Sequence, residues 1–337
     1  MNPLDQELSR PQHDIFEAKI DALVNEAEDI RLRLMRLHQS RAMLSTTLSI
    51  LLVLIGAGIF GWLFLYEGRL ILGVLCVAIS IALSIVIHFW AEKPLQMYKR
   101  NYKRIFMPKL AKALGGFQFF QSRGISAKFL GLTGVVPRHA LYRAEDCFMG
   151  RYKGVKVIFS EARLYADPKG HNPVFDGIFV LLEAQEEIFR GHTILTTDLS
   201  MVDRYAGKRW QKLQAVGLPD DSAYTPAFKA FSDRHEMALK LSGDAFLKEL
   251  LEASKIFEDA PITAVMFRRK FVFLMIPYAH DMFEPSTIDV PIRSKSQAMQ
   301  CKREIEQILE IIDVFGFFQS ADSRIHAGEA ASPDQNT

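Results

Sequence analysis

A cytoplasmic α+β domain, preceded by a two-helix transmembrane hairpin and an N-terminal coiled-coil-like helix, is the fold class this chain predicts. Three observations predict it. Two uncharged apolar runs, Leu44 to Tyr66 and Leu70 to Trp90, are separated only by Glu67-Gly68-Arg69. An apolar stripe at alternating intervals of four and three precedes them, and after Gly115-Gly116 the apolar period changes from that of helices to that of strands.

Residues 1–43 read as a cytoplasmic amphipathic helix. Phe16, Ile20, Leu23, Ala27, Ile30, Leu34 and Leu37 carry the spacing of a coiled-coil seam. Two readings stand: the stripe joins copies into a homo-oligomer, or it packs against the chain's own juxtamembrane helix. Residues 44–91 are the transmembrane helical hairpin. At about 1.5 Å of rise per residue, a run of roughly 20 residues crosses a hydrocarbon core about 30 Å thick, and a helix satisfies its own backbone polar groups there. A cleaved signal peptide does not fit a doubled apolar region that starts at Leu44. Gly56, Gly58, Gly61 and Gly73, with Ala78, Ser80, Ala82 and Ser84, supply small surfaces for close helix packing. His88 lies at the cytoplasmic end of the second run, which leaves little polar material for a small oligomeric channel.

The flanks set orientation. Arg31, Arg33, Arg36 and Arg41 precede the first run with no acid after Asp29. Lys93, Lys99, Arg100, Lys103, Arg104, Lys109 and Lys112 follow the second against Glu92 alone. The positive-inside rule places both termini in the cytoplasm and Gly68 outside, and membrane lipid becomes the first partner of the basic flanks. The chain is 49% hydrophobic with a formal net charge of +2. Much of that apolar excess lies in the hairpin, and near-neutrality argues against a protein dedicated to nucleic acid. Cys76 falls in the second run, while Cys147 and Cys301 are far apart without a C-x-x-C spacing, as suits a reducing compartment.

Residues 92–116 are a juxtamembrane linker helix: after Pro94, Leu95 to Leu114 carries the stripe Leu95, Tyr98, Tyr102, Ile105, Phe106 and Leu110, which suits an amphipathic helix on or near the membrane. Residues 117–319 are the α+β domain, divisible into two subregions by the polar, Pro-containing segment Gly217 to Pro226. Phe148 to Tyr152, the turn Lys153-Gly154, and Val155 to Phe159 form a hairpin; Val174 to Leu182 and Thr193 to Thr196 are further strands; Trp210 to Ala215 is a short helical stretch. Beyond Phe228 to Phe231, Asp233 caps one short helix and Asp244 another that runs to about Phe257. Ile262 to Met266 and Phe271 to Ile276 flank Phe267-Arg268-Arg269-Lys270 as a second hairpin. A helix starts at Ser294 or Ser296 and runs through Ile312, and residues 320–337 form a polar, disordered tail.

Several separated stretches carry a resemblance: the hairpin before the soluble domain, Gly150 through Glu161, Phe228 to Asp233, Leu247 to Phe257, and Arg269 to Tyr278 ending before Phe283-Glu284. Over most of residues 12 to 315 the chain resembles the two-span bacterial membrane proteins grouped as a domain of unknown function (family 3137). One departure is Leu241-Ser242-Gly243-Asp244, where the family pattern has a Leu-Thr-Pro helix start. The resemblance implies a bacterial inner-membrane protein and brings no activity with it.

Residues that could carry chemistry have bland alternatives beside them. Ser160-Glu161 follows an apolar strand and would line an exposed strand end, yet neither has an adjacent base. His171, His192 and Asp198 have no metal-ligand spacing and read as loop residues. His235-Glu236 is not a zincin motif, because Leu239 stands where the second His belongs. Cys147 beside Asp146 gains no activation from a carboxylate and reads as a buried thiol. Phe117, Phe119 and Phe120 read as membrane contact or domain core rather than a nucleic-acid platform. No phosphate loop, nucleophile elbow or dinucleotide fingerprint appears, so no cofactor is expected. The expected function is presentation of the α+β domain to an unidentified protein or envelope-associated partner. A membrane-tethered enzyme with a site around Ser160, Glu161, His171 and His192 is the alternative.

Overall fold

The structure is a computed structural model that describes residues 3–202, 210–219, 223–280, 283–285, 287–291, 303, 305, 306 and 309, with side chains from residue 20 onward. Its contacts divide it into two units: Met1–Leu110 with Glu284–Ala298, and Ala111–Phe283 with Met299–Thr337.

In the first unit, α1 (Pro3–Glu67) and α2 (Leu70–Asn101) are joined by a reversal in which Gly68 takes φ +63°. Small residues let the two helices approach. A Cβ on Gly56 would lie 2.4 Å from Ser80 Oγ, and one on Gly73 would lie 2.8 Å from the Phe60 ring. The hydroxyls of Ser80 and Ser84 donate back to Cys76 O and Ser80 O, each at 2.9 Å, so the polar atoms of this stretch are used within their own helix. The remaining apolar surface points outward: Ile71 is 84% exposed, Leu54 64% and Val86 64%. Leaving a side chain of that kind in water forfeits about 1.5–3 kcal/mol of burial. Both helices are long and apolar enough to cross a membrane, and lipid is the solvent that suits them.

Two features differ from the expected linker. First, α2 passes through Pro94 unbroken. Proline removes the N–H that would bond the carbonyl four residues earlier, and Nδ1 of His38 on α1 reaches Ala91 O at 3.2 Å, placing a donor beside that defect. Second, a π-helical turn at Tyr102–Phe106 leads into α3 (Met107–Ala113). The apolar residues Tyr98, Tyr102, Phe106 and Leu110 are spaced by four, and in an α-helix three such steps would rotate the row by about a third of a turn. The wider π turn keeps them on one side, where all four are buried. The stretch is therefore not a separate helix starting after Pro94 but the continuation of α2, and Tyr98, Tyr102, Ile105 and Phe106 share a cleft with Leu23, Ala27 and Ile30 of α1. Part of the α1 stripe makes contacts within the chain, as one of its two readings has it. Ile20 and Leu34 are buried, Leu37 is 45% exposed, and the side chain of Phe16 lies outside the described residues.

Polar contacts attach residues 284–291 to these helices. Arg31, 3% exposed, holds Glu28 through Nε and Nη2 at 2.9 and 2.7 Å and donates Nη1 to Ile288 O. Lys103 pairs with Glu284 at 2.6 Å. The hydrogen-bonded Glu28 carboxylate raises the pKa of Arg31 and fixes its charge.

The second unit is an antiparallel sheet of nine strands. They are β1 (Gln118–Phe120), β2 (Leu141–Tyr152), β3 (Val155–Tyr165), β4 (Pro173–Glu183), β5 (Thr193–Thr196), β6 (Gln214–Val216), β7 (Lys229–Ser232), β8 (Thr263–Phe267) and β9 (Phe271–Pro277), in the order β1-β2-β3-β4-β9-β8-β5-β7-β6. Lys153 and Gly154, at φ +47° and +85°, make the tight β2–β3 turn read from the sequence. The β8–β9 hairpin closes through Arg268 and Arg269, both at positive φ, with Arg269 O accepting from the N–H groups of Ile188 and Phe189. One sheet face packs on α4 (Ala127–Thr133), where Leu130, Phe179, Ile194, Val265 and Phe273 share a core with Trp210. Phe117 and Phe119 are buried too, which favours the core reading of those aromatics.

Three local expectations need correction. Trp210 to Ala215 is not helical: Trp210 sits in a turn with Nε1 donating to Gly134 O at 3.0 Å, and Gln214 to Val216 pairs with β7. Burial of the indole and the ladder outweigh local helix propensity. Asp233 does not cap α5 (His235–Leu241); its Oδ1 accepts instead from His192 N at 2.7 Å. Asp244 is the first residue of α6 (Asp244–Ile256), after Gly243 in the capping position. The helix expected from Ser294 or Ser296 lies outside the described residues except Arg303, Ile305, Glu306 and Leu309, which are helical; the 320–337 tail lies wholly outside them.

Because Gly154 sits at φ +85° with its missing Cβ aimed at the Gln185 side chain, Gly154→Val should destabilise the full-length protein by about 1 kcal/mol or more. Gly217→Ala, at a site with open space around it, should leave the thermal midpoint unchanged. Equal midpoints for both variants would refute the turn assignment.

Candidate functional site

Alternation along β3 sends its polar residues to different faces. Ser160 is fully buried in mid-strand, opposite Phe179 on β4, which corrects the expectation of an exposed strand end. On its other side a bulge sets Asp146 and Cys147 of β2 against this one residue, with Asp146 at φ +47°. The Ser160 and Tyr142 hydroxyls converge on Gly124, where a Cβ would meet Tyr142 Oη at 2.6 Å and Ser160 Oγ at 3.2 Å. Burial raises the Tyr142 phenol pKa well above its ordinary value and pushes the Cys147 thiol up to about 12. These groups are held neutral, the opposite of an activated nucleophile.

Glu161 points to the other face, into a shallow cleft with Arg143, Glu145 and Arg163. Glu145 stands directly across from Glu161, and Arg143 across from Arg163. Like charges therefore face each other along the ladder and opposite charges sit on the diagonals, with Arg163 held to Asp176 at 3.1 Å. His171 is 73% exposed in a loop organised by Asp167, whose carboxylate accepts from the backbone N–H groups of Lys169, His171 and Asn172. Those backbone bonds, Asn172 first, hold the Asp167 carboxyl below its usual range. His192 immediately precedes β5; its Nε2 donates to Thr133 O at 3.0 Å. Asp198 accepts from Ser200 Oγ at 2.6 Å and Met201 N at 3.0 Å, closing a turn.

The four residues of the enzyme alternative do not meet. β4, β9 and β8 lie between β3 and β5, a separation of about 19 Å at the usual strand spacing, and Ser160 and Glu161 face opposite ways. Among the described residues no group of three His, Cys, Asp or Glu side chains could hold a metal ion.

A candidate surface of another kind lies at the end of the helical hairpin. Arg41 of α1 stacks its guanidinium 4.6 Å over the Trp90 ring of α2. Arg33, Arg36, Lys93, Lys99 and Arg100 around that level are exposed, whereas Arg31, Lys103 and Lys109 are held by Glu28, Glu284 and Glu26. Sequence reading found these cations but could not sort the paired from the unpaired, because two of the acids that pair them are far away in the chain.

His192 supplies a pH test of the sheet. Burial lowers its pKa below the ordinary 6.5, so as pH falls through that value the unfolded chain takes up a proton that the folded imidazole refuses. Stability is present above this pH and lost below it. The thermal midpoint should fall between about pH 7 and about pH 5.5, and His192→Gln should flatten the dependence. An identical slope in the variant would assign the effect elsewhere.

Residues 173–316, from the start of β4 onward, match the family model described as a protein of unknown function (DUF3137). The apolar helices and the Gly150 to Glu161 stretch lie outside that match, which is shorter than the resemblance read over residues 12 to 315. No curated protein matches the chain.

Proposed function

We propose that this chain is a bacterial inner-membrane protein with two spans and both termini in the cytoplasm, which holds its α+β domain there to engage a protein or envelope-associated partner. The observation that carries the membrane part is the outward-facing apolar surface of α1 and α2, bounded at one end by exposed cations and at the other by the single pair Glu67 and Arg69. That asymmetry supports the orientation. The partner reading is supported by what the polar residues of the domain are doing: Ser160 is buried, His171 is exposed in a loop held by Asp167, Asp198 closes a turn, and His192 bonds a backbone carbonyl, so binding suits this domain better than a reaction.

Reporters fused after Met1 and after Thr337 should both read as cytoplasmic, and one inserted at Gly68 as external. An external reading at the C-terminal fusion would defeat the topology. Affinity capture of the full-length protein from membranes in mild detergent should retain a partner that a variant lacking residues 117–319 loses. Equal recovery by both would remove the α+β domain from the interaction.

A further inference from the structure

The cations at the end of the hairpin divide by whether the protein already neutralises them. Trp90 and Arg41, stacked together, mark one level of the helix pair. At about 1.5 Å per residue, Lys93 lies about 4 Å beyond that level along its helix, Arg36 about 8 Å, Arg33 about 12 Å, and Lys99 and Arg100 about 14–15 Å. All five are exposed, and among the described residues none makes an ion pair. Lys103 and Lys109, about 20 and 28 Å beyond, pair with Glu284 and Glu26 at 2.6 Å each. Arg31 is buried on Glu28. The one acid within the near group, Glu92, lies 3.3 Å from His88.

A leaflet's headgroup layer adds about 6 Å to the hydrocarbon, and its surface potential decays over a Debye length of about 8 Å. Their sum, about 14 Å, is the depth at which the pairing pattern changes. Phe89 and Trp90, 59% and 37% exposed, make the same surface continuous with the apolar spans, which a lipid covers and a nucleic acid does not.

We propose that Arg33, Arg36, Arg41, Lys93, Lys99 and Arg100 form a collar that binds the headgroups of anionic phospholipids, an inference that rests on the membrane reading above. The collar takes the phosphate and net negative charge of the lipid, while the paired cations farther out hold the protein's own acids.

The test uses the full chain carrying Trp62→Phe and Trp210→Phe, which leaves Trp90 as its one tryptophan, in phosphatidylcholine vesicles, with its fluorescence quenched by brominated phosphatidylglycerol or brominated phosphatidylcholine. The anionic lipid should be preferred by about fivefold or more, the effect of a single headgroup-level cation. The preference should fall toward unity in 1 M salt, where the Debye length is about 3 Å. Arg36→Gln/Lys93→Gln/Arg100→Gln should lose most of it, and Lys109→Gln should keep it. Equal quenching by the two lipids in the parent protein, or an undiminished preference in the triple variant, would overturn the collar. Abolition of the preference by an added oligonucleotide would overturn it in favour of nucleic acid. Failure of the membrane reading itself looks different, since neither lipid would then quench Trp90, and a wrong orientation would show only in the Gly68 reporter.

Discussion

The pairing of α1 with α2 is the constraint from which the rest of the first unit follows. Three residues, Glu67-Gly68-Arg69, tie two long helices into antiparallel neighbours, so every residue on one is held near a fixed level of the other. The same pair is stabilised by different physics along its length. Within the apolar runs no hydrophobic force drives helix to helix, and contact depends on small residues such as Gly56 against Ser80. Beyond Trp90 the helices turn polar on their outer sides, and burial of Tyr98, Tyr102 and Phe106 beside Leu23, Ala27 and Ile30 takes over. The π turn belongs to this second regime: it keeps bulky residues spaced by four facing the partner helix.

Into this second part the chain places a buried ion pair, Glu28 with Arg31. Such pairs add little net stability, because desolvation offsets attraction, but removing one partner leaves a buried charge exposed to the full penalty. What the pair achieves here is positional. Its arginine reaches Ile288 O, and Lys103 reaches Glu284, so Glu284 and Ile288 are held on the helices by contacts that tolerate little slippage. These local acids also explain the division of the basic flanks, since a cation engaged by Glu26, Glu28 or Glu284 has less charge to offer a lipid surface.

The parts of the fold legible in the sequence are those fixed by local pattern. The two apolar runs, the Lys153-Gly154 turn, and the strands from Val174 and Thr193 were readable because length, alternation and turn chemistry act over a few residues. What escaped was set by distant partners. Trp210 gave a helical impression, yet its neighbours complete a ladder with β7. Asp233 has the composition of a cap, yet a backbone N–H forty-one positions away claims it. α2 continues through Pro94 with His38 of α1 bonding the nearby Ala91 carbonyl, a contact from another helix that a proline does not announce. The bulge at Asp146-Cys147 left no signal beyond the adjacent acids Glu145 and Asp146 in a strand of mixed polarity.

The proposed chemical residues failed for a related reason, and the failure bears on function. Ser160 and Glu161 are adjacent in sequence, and adjacency in a strand means opposite faces, so a catalytic pair of this form would need a bulge between them. The bulge is instead on β2, across from Ser160, where it leaves β3 in regular alternation. Glu161 consequently joins Arg143, Glu145 and Arg163 in a charged lattice, and Ser160 joins Tyr142 in a buried, neutral one. Carboxylates compensated by neighbouring arginines and hydroxyls kept from ionising make a rigid sheet rather than a reactive site. A sheet built this way holds its edges and turns in fixed positions, because each polar side chain along β3 is tied to its neighbours and not left free to react.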